Sequence, residues 1–273
     1  MKKRNVILLI LLAALAIALV VAYVYYQRTT ASSECPVISF DEQILYITTD
    51  ATDEELLKGV TAMDPEDGDV TDSLLIESTS NLINGNKCKV TYVAFDSKNH
   101  MSRAERTLCY TDYKAPVFEL THPLVFRHSR TVDILNYVNA SDMFDGDITR
   151  KVMYSLEDST TLDSVGEHIV EMRVTNSKGD TAHLRVKVEV TSEDPNPANI
   201  QLSQYLVYVP VGTEFSPEEY FMSYSSAEAV ITDMSGVRIE SDVDTSVSGT
   251  YTVTYSTGYG SSQSHTRLIV VVE

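Results

Sequence analysis

Two stretches decide the fold: VTAMDPEDGDVT at 60–71 and VNASDMFDGDIT at 138–149. They lie 78 residues apart, and Val, Ala, Asp, Asp, Gly, Asp and Thr recur at matching positions. A second block follows each, because VTYVAFDSK at 90–98 aligns with VEMRVTNSK at 170–178 at an offset of 80. Two separated blocks at nearly one spacing mark an internal repeat. Pro-bearing linkers close the units, as DYKAP at 112–116 and SEDPNP at 192–197. A third unit keeps the late block, with GTYTVTY at 249–255 and RLIVVVE at 267–273, but lacks the Asp-Gly-Asp block. The period is therefore about 80 residues, repeated three times.

The local pattern within each unit is strand. Val90, Tyr92 and Ala94 alternate with polar residues, as do Val170, Met172 and Val174, then Leu184, Val186, Val188 and Val190, and finally Tyr251, Val253 and Tyr255. Alternation of period two marks strands with one buried face, so Arg185, Lys187 and Glu189 are expected in water. Asp67-Gly68 and Asp145-Gly146 read as tight turns, in which Gly accepts a positive φ and Asp bonds its own backbone. Helical signal is limited to short acidic stretches at 53–57 and 217–221. Units of about 80 residues with some seven short strands suit a two-sheet sandwich. That size is near the lower limit of self-sufficiency, so neighbouring units should help to stabilise each other.

Residues 6–26 (VILLILLAALAIALVVAYVYY) contain no charge. As a helix at ~1.5 Å per residue they would span about 31 Å, enough for a bilayer core of ~30 Å. Lys2, Lys3 and Arg4 precede the run and Arg28 follows it, so the positive-inside rule places the N-terminus in the cytoplasm. Tyr23, Tyr25 and Tyr26 would sit at the outer interface. A cleaved signal peptide fits less well, because the run exceeds the usual 7–15 residues and Ala31 is a poor cleavage site. Cys35 lacks the small residues of a lipid-attachment motif before it. The expected order is a cytoplasmic tail (1–5), a transmembrane anchor (6–26), a stalk (27–35) and three modules at 36–113, 114–193 and 194–273. All 39 acidic residues and 18 of the 21 basic ones follow the apolar run, so that part carries −21. Such a charge keeps it soluble and argues against nucleic acid, which needs a basic face. Three Cys and no Cys/His spacing exclude a disulfide framework and structural zinc.

The pattern V-x-A-x-D-x-x-D-G-D-[VI]-T, the following strand, the Ser-Lys turn and the Pro linker together resemble bacterial immunoglobulin-like repeats. These occur in tandem on Gram-positive surface proteins and in some insecticidal crystal proteins, and are similar to hyalin-type repeats. The resemblance is good over 36–193 and weak over 198–273. It implies an all-β chain of three tandem immunoglobulin-like β-sandwich domains, here following one N-terminal transmembrane helix. It also implies a cell-surface or adhesive setting, without naming a ligand.

The candidate sites follow. Asp64, Asp67 and Asp69, with Asp142, Asp145 and Asp147, offer hard oxygen ligands of the kind Ca²⁺ takes. Their spacing is not that of an EF-hand, since Gly68 replaces an acidic ligand and the twelfth position holds no Glu. Turn chemistry, with Asp accepting backbone N–H bonds and Thr71 or Thr149 assisting, is the favoured alternative. Cys88 and Cys109 flank a turn and could form a disulfide, but strand parity sets Cys88 inward and Cys109 outward, and a bond needs a common face. Cys35 is expected as a free thiol. Tyr259, between Gly258 and Gly260, is a candidate exposed contact residue. None of the six His clusters in a motif, and no GxSxG, HExxH or SxxK occurs, so catalysis is not expected. The expectation is a membrane-anchored surface protein with a ligand-binding or adhesive ectodomain held away from the membrane, whose partner is a surface protein or glycan. The alternative is a non-binding structural component of a cell-envelope complex.

Overall fold

The computed structural model describes residues 13–25, 35–128, 132–157, 161–196, 198–225, 229–258 and 263–273. It is all-β, and one strand plan occurs three times. In the first copy, Val37–Phe40, Val60–Asp64 and Gly68–Asp69 form a three-stranded sheet. The facing sheet runs in the order Ile44–Ile47, Met101–Tyr110, Lys87–Phe95, Leu75–Thr79. The second copy repeats this with Val117–Leu120, Val138–Asp142 and Gly146–Asp147 against Val125–Arg127, Thr181–Thr191, Gly166–Thr175 and Met153–Leu156. The third uses Gln201–Leu202, Phe221–Ser225 and Val230–Ile231 against Leu206–Val209, Ser264–Val272, Gly249–Thr257 and Arg238–Ser241. These are tandem β-sandwiches of three plus four strands.

Alternation explains the burial. Val90, Tyr92, Ala94, Val170, Met172, Val174, Val253 and Tyr255 are all buried. Each long hairpin is fully paired, Lys87 opposite Cys109 through Phe95 opposite Met101 in the first copy and Gly166 opposite Val190 through Thr175 opposite Thr181 in the second. The short acidic stretches are helical as expected. Asp53–Leu56 starts with a capping box in which Thr52 and Glu55 bond each other's backbone. Pro217–Tyr220 is a 3₁₀ turn.

The described residues cluster into two compact units. The first holds the opening sandwich through Cys109, and the second holds residues 110–273 with the short segments Thr48–Asp50 and Asn81–Asn86. Within the second unit, two sandwiches share apolar packing. Leu206 and Ile269 of the last sandwich belong to the same buried cluster as Phe118, Leu124, Val188 and Val190. Tyr208 Oη accepts the Phe118 N–H at 3.0 Å across the same junction. A separate core of Ile200, Leu202, Val253, Tyr255, Leu268 and Val270 fills the last sandwich itself. This packing corrects the expectation that Glu189 faces water. Its carboxylate is half-buried and accepts from Arg267 Nη2 at 2.7 Å and approaches His265 Nε2 at 3.2 Å.

Residues 13–25 are helical and exposed, while the rest of the 6–26 run lies outside the described residues. Among the described residues no helix is long and apolar enough to cross a membrane.

Ile269 gives a test of the shared packing. Ile269→Ala should destabilise the second unit by about 2–5 kcal/mol. Calorimetry should show residues 110–273 melting in one transition that the substitution lowers as a whole. Two separate transitions in that unit, only one of them shifted, would refute a common cooperative core.

Candidate functional site

Both copies of the Asp-Gly-Asp block build the same turn. Asp64 closes the strand Val60–Asp64, is 6% exposed, and its Oδ1 accepts the N–H groups of Glu66 at 2.8 Å and Asp67 at 2.9 Å. Asp142 does the same for Phe144 at 2.9 Å and Asp145 at 3.1 Å. Gly68 and Gly146 hold φ of 78° and 66°, the left-handed region that a side chain disfavours. Asp69 and Asp147 turn away from this group and accept the N–H of Thr71 and Thr149, at 3.0 and 2.9 Å. The threonine hydroxyls then accept the N–H groups of Ala62 and Ala140, at 3.1 and 3.0 Å.

The central aspartate of each block reaches the other sheet. Asp67 accepts the Ser97 N–H at 2.7 Å and the Ser97 hydroxyl at 3.0 Å. Asp145 accepts the Ser177 N–H at 2.8 Å and Lys151 Nζ at 2.6 Å. These bonds hold both carboxyls below their ordinary pKa: the Ser97 backbone bond does most for Asp67, and the Lys151 bond does most for Asp145.

The six aspartates expected as calcium ligands therefore do not behave alike. Asp69 and Asp147 are committed to threonine N–H groups. Asp64 and Asp67 meet a third carboxylate that the spacing analysis did not single out, Asp96, at the start of the Ser97-Lys98 turn. One oxygen from each of the three lies within 4.8 Å of the others, and no other such group of acidic, His or Cys side chains occurs among the described residues. Asp96 Oδ1 accepts from the N–H groups of Lys98 at 2.8 Å and His100 at 2.7 Å, and its Oδ2 lies 2.6 Å from His100 Nδ1. Burial pushes the Asp96 carboxyl up, but the His100 and Lys98 hydrogen bonds outweigh it and leave the pKa below the ordinary value.

The cysteines do not pair. Register sets Cys88 opposite Leu108 and Cys109 opposite Lys87, so the two thiols lie on opposite faces of the hairpin, and neither is in a disulfide. Cys109 was expected to face water and is instead 7% exposed. Cys35 is exposed. Tyr259 lies outside the described residues.

Residues 203–271 match the family described as bacterial surface protein, Ig-like domain. The match falls on the third sandwich, which lacks the Asp-Gly-Asp block. No curated protein matches the chain. Among solved structures, the CBM51-2 and INT domains of Clostridium perfringens ZmpB, in complex with GlcNAc, align at 20% identity and a TM-score of 0.23, covering 52% of this chain and 29% of that one. The chain thus spans less than a third of that structure's length. Human CDH23 EC21-23 aligns at 16% identity and a TM-score of 0.23 over 87% of this chain and all of its own. The lipoprotein BT2262 from Bacteroides thetaiotaomicron aligns at 10% and 0.21 over 86% of this chain and 98% of its own.

Two measurements test the geometry. Because the folded pKa of Asp67, Asp96, Asp145 and Asp147 is lowered, their contribution is complete above the ordinary carboxylate value of ~3.9 and is lost as pH falls through the folded values. The Tm should stay level from about pH 6 to pH 5 and fall steeply below about pH 4; a Tm that rises on acidification would contradict the bonding. Thiol titration with dithionitrobenzoate should count one reactive Cys, Cys35, in the native chain and all three in guanidinium without reductant. A count of one under both conditions would restore the disulfide.

Proposed function

We propose that this chain is a non-catalytic surface protein whose tandem immunoglobulin-like modules form a binding ectodomain carried on a membrane anchor at residues 6–26. The observation that carries the reading is the match of residues 203–271 to a bacterial surface Ig-like domain. The tandem β-sandwiches support it, since they supply strand edges and exposed faces. The apolar run preceded by Lys2, Lys3 and Arg4 supports an N-terminus in the cytoplasm and modules outside. The ectodomain's negative charge favours a neutral or cationic protein surface, or an uncharged glycan, over an anionic polymer. The third sandwich is the favoured contact module, because it keeps the strand plan while dropping the acidic turn.

Protease added to intact cells expressing the chain should remove everything beyond the anchor and leave a short membrane-bound fragment. Full protection would overturn the topology. The intact chain, immobilised in detergent, should retain glycans from a bacterial and host glycan array or a cell-surface protein fraction. Retention that needs the membrane segment alone would instead favour a structural component of the envelope.

A further inference from the structure

The first two sandwiches build the same turn but differ in what meets its buried aspartate. In the second, Asp142 Oδ2 accepts from Asn176 Nδ2 at 3.0 Å. The residue equivalent to Asn176, at the offset of 80, is Asp96. Both Oδ1 atoms do the same work, since Asn176 Oδ1 accepts the N–H groups of Lys178 at 3.0 Å and Asp180 at 2.9 Å, as Asp96 Oδ1 does for Lys98 and His100. The change from amide to carboxylate replaces a donor with a second acceptor. As a result Asp64 Oδ2, the counterpart of Asp142 Oδ2, is buried with no hydrogen-bond partner. An uncompensated buried carboxylate oxygen is costly, and a facing carboxylate adds repulsion. A cation between them removes both penalties.

The neighbours favour a cation. Asp67 stands at the mouth of the same group, with its oxygen within 4.8 Å of those of Asp64 and Asp96. Ser97, Lys98 and His100 donate to Asp67 and Asp96 and hold both carboxylates in place around the group. Three carboxylates converging from two turns leave the remaining positions of a six- to eight-oxygen shell to water. Lys98 pairs with Glu66 beside the group.

We propose that Asp64, Asp67 and Asp96 form a binding site for one hard divalent cation, Ca²⁺ by its charge and oxygen preference, and that the second sandwich, with Asn176 in place of Asp96, does not. The cation closes the lock between the acidic turn and the Ser97-Lys98 turn that Asn176 closes with an N–H. This follows from the geometry of the first sandwich and stands apart from what the modules recognise.

The test uses the full chain stripped with chelator. Calorimetric titration with CaCl₂ should find one equivalent, in the range of about 0.1–1 mM typical of extracellular modules, and saturating Ca²⁺ should raise the Tm of the first unit by about 4 °C or more. Asp96→Asn should abolish the titration, while a cooperative melt of that variant in chelator shows that it folds. The proposal is overturned if the wild type takes up neither Ca²⁺ nor Mg²⁺ at about 10 mM, or if Asp96→Asn binds Ca²⁺ like the wild type, which would mean diffuse binding to an acidic chain.

Discussion

A buried carboxylate at the end of a strand organises the first two sandwiches. Asp64 and Asp142 each take two backbone N–H groups that a reversing chain would otherwise leave without partners. The aspartate three residues later then crosses to the hairpin turn of the facing sheet, Asp67 to Ser97 and Asp145 to Ser177. One turn therefore satisfies its own backbone and joins the open ends of two sheets. Hydrogen bonds to charged acceptors are the stronger kind, at about 1.5–3 kcal/mol, so the acidic composition of these loops is structural before it is anything else.

Much of this was legible before any coordinates. The offset of 78–80 residues located equivalent turns, and alternation named the buried residues of each long hairpin. Alternation fails where something covers the outer face, because it records which face a side chain takes and not what lies upon it. Glu189 is the clear case: its parity is outward, as read, but strand Ser264–Val272 brings Arg267 and His265 over it. Nothing in a period-two pattern announces that Leu206 and Ile269 complete the apolar cluster of the preceding sandwich. Cys109 likewise has outward parity and a buried thiol.

The acidic site was half legible for a different reason. Spacing within one loop drew attention to Asp64, Asp67 and Asp69, which are neighbours in sequence. The third member of the group comes from another turn and sits in the aligned blocks VTYVAFDSK and VEMRVTNSK as an unremarked Asp against Asn. That difference is easily passed over, because Oδ1 of either residue makes the same turn with the next residues. Only the other terminal atom, an oxygen in one and an NH₂ in the other, distinguishes them, and its importance depends on a partner 32 positions upstream of Asp96.

The third sandwich shows that the acidic turn is one of two locks. Tyr92 and Tyr255 hold the same place on their strands and are fully buried, and each hydroxyl donates to a carbonyl of the short helical turn before it: Leu56 at 2.6 Å and Pro217 at 2.6 Å. Burial pushes both phenols up, which keeps them protonated donors. At the matching place the second sandwich has Met172, which fills the volume but donates nothing. Among the described residues the first sandwich thus has both locks, the second the carboxylate turn, and the third the tyrosine. The third sandwich, with the tyrosine contact and no Asp-Gly-Asp block, keeps the strand plan of the other two. The same reasoning explains how the first sandwich tolerates the unsatisfied Asp64 oxygen: its tyrosine lock holds the sheets while the acidic turn is left open to a cation.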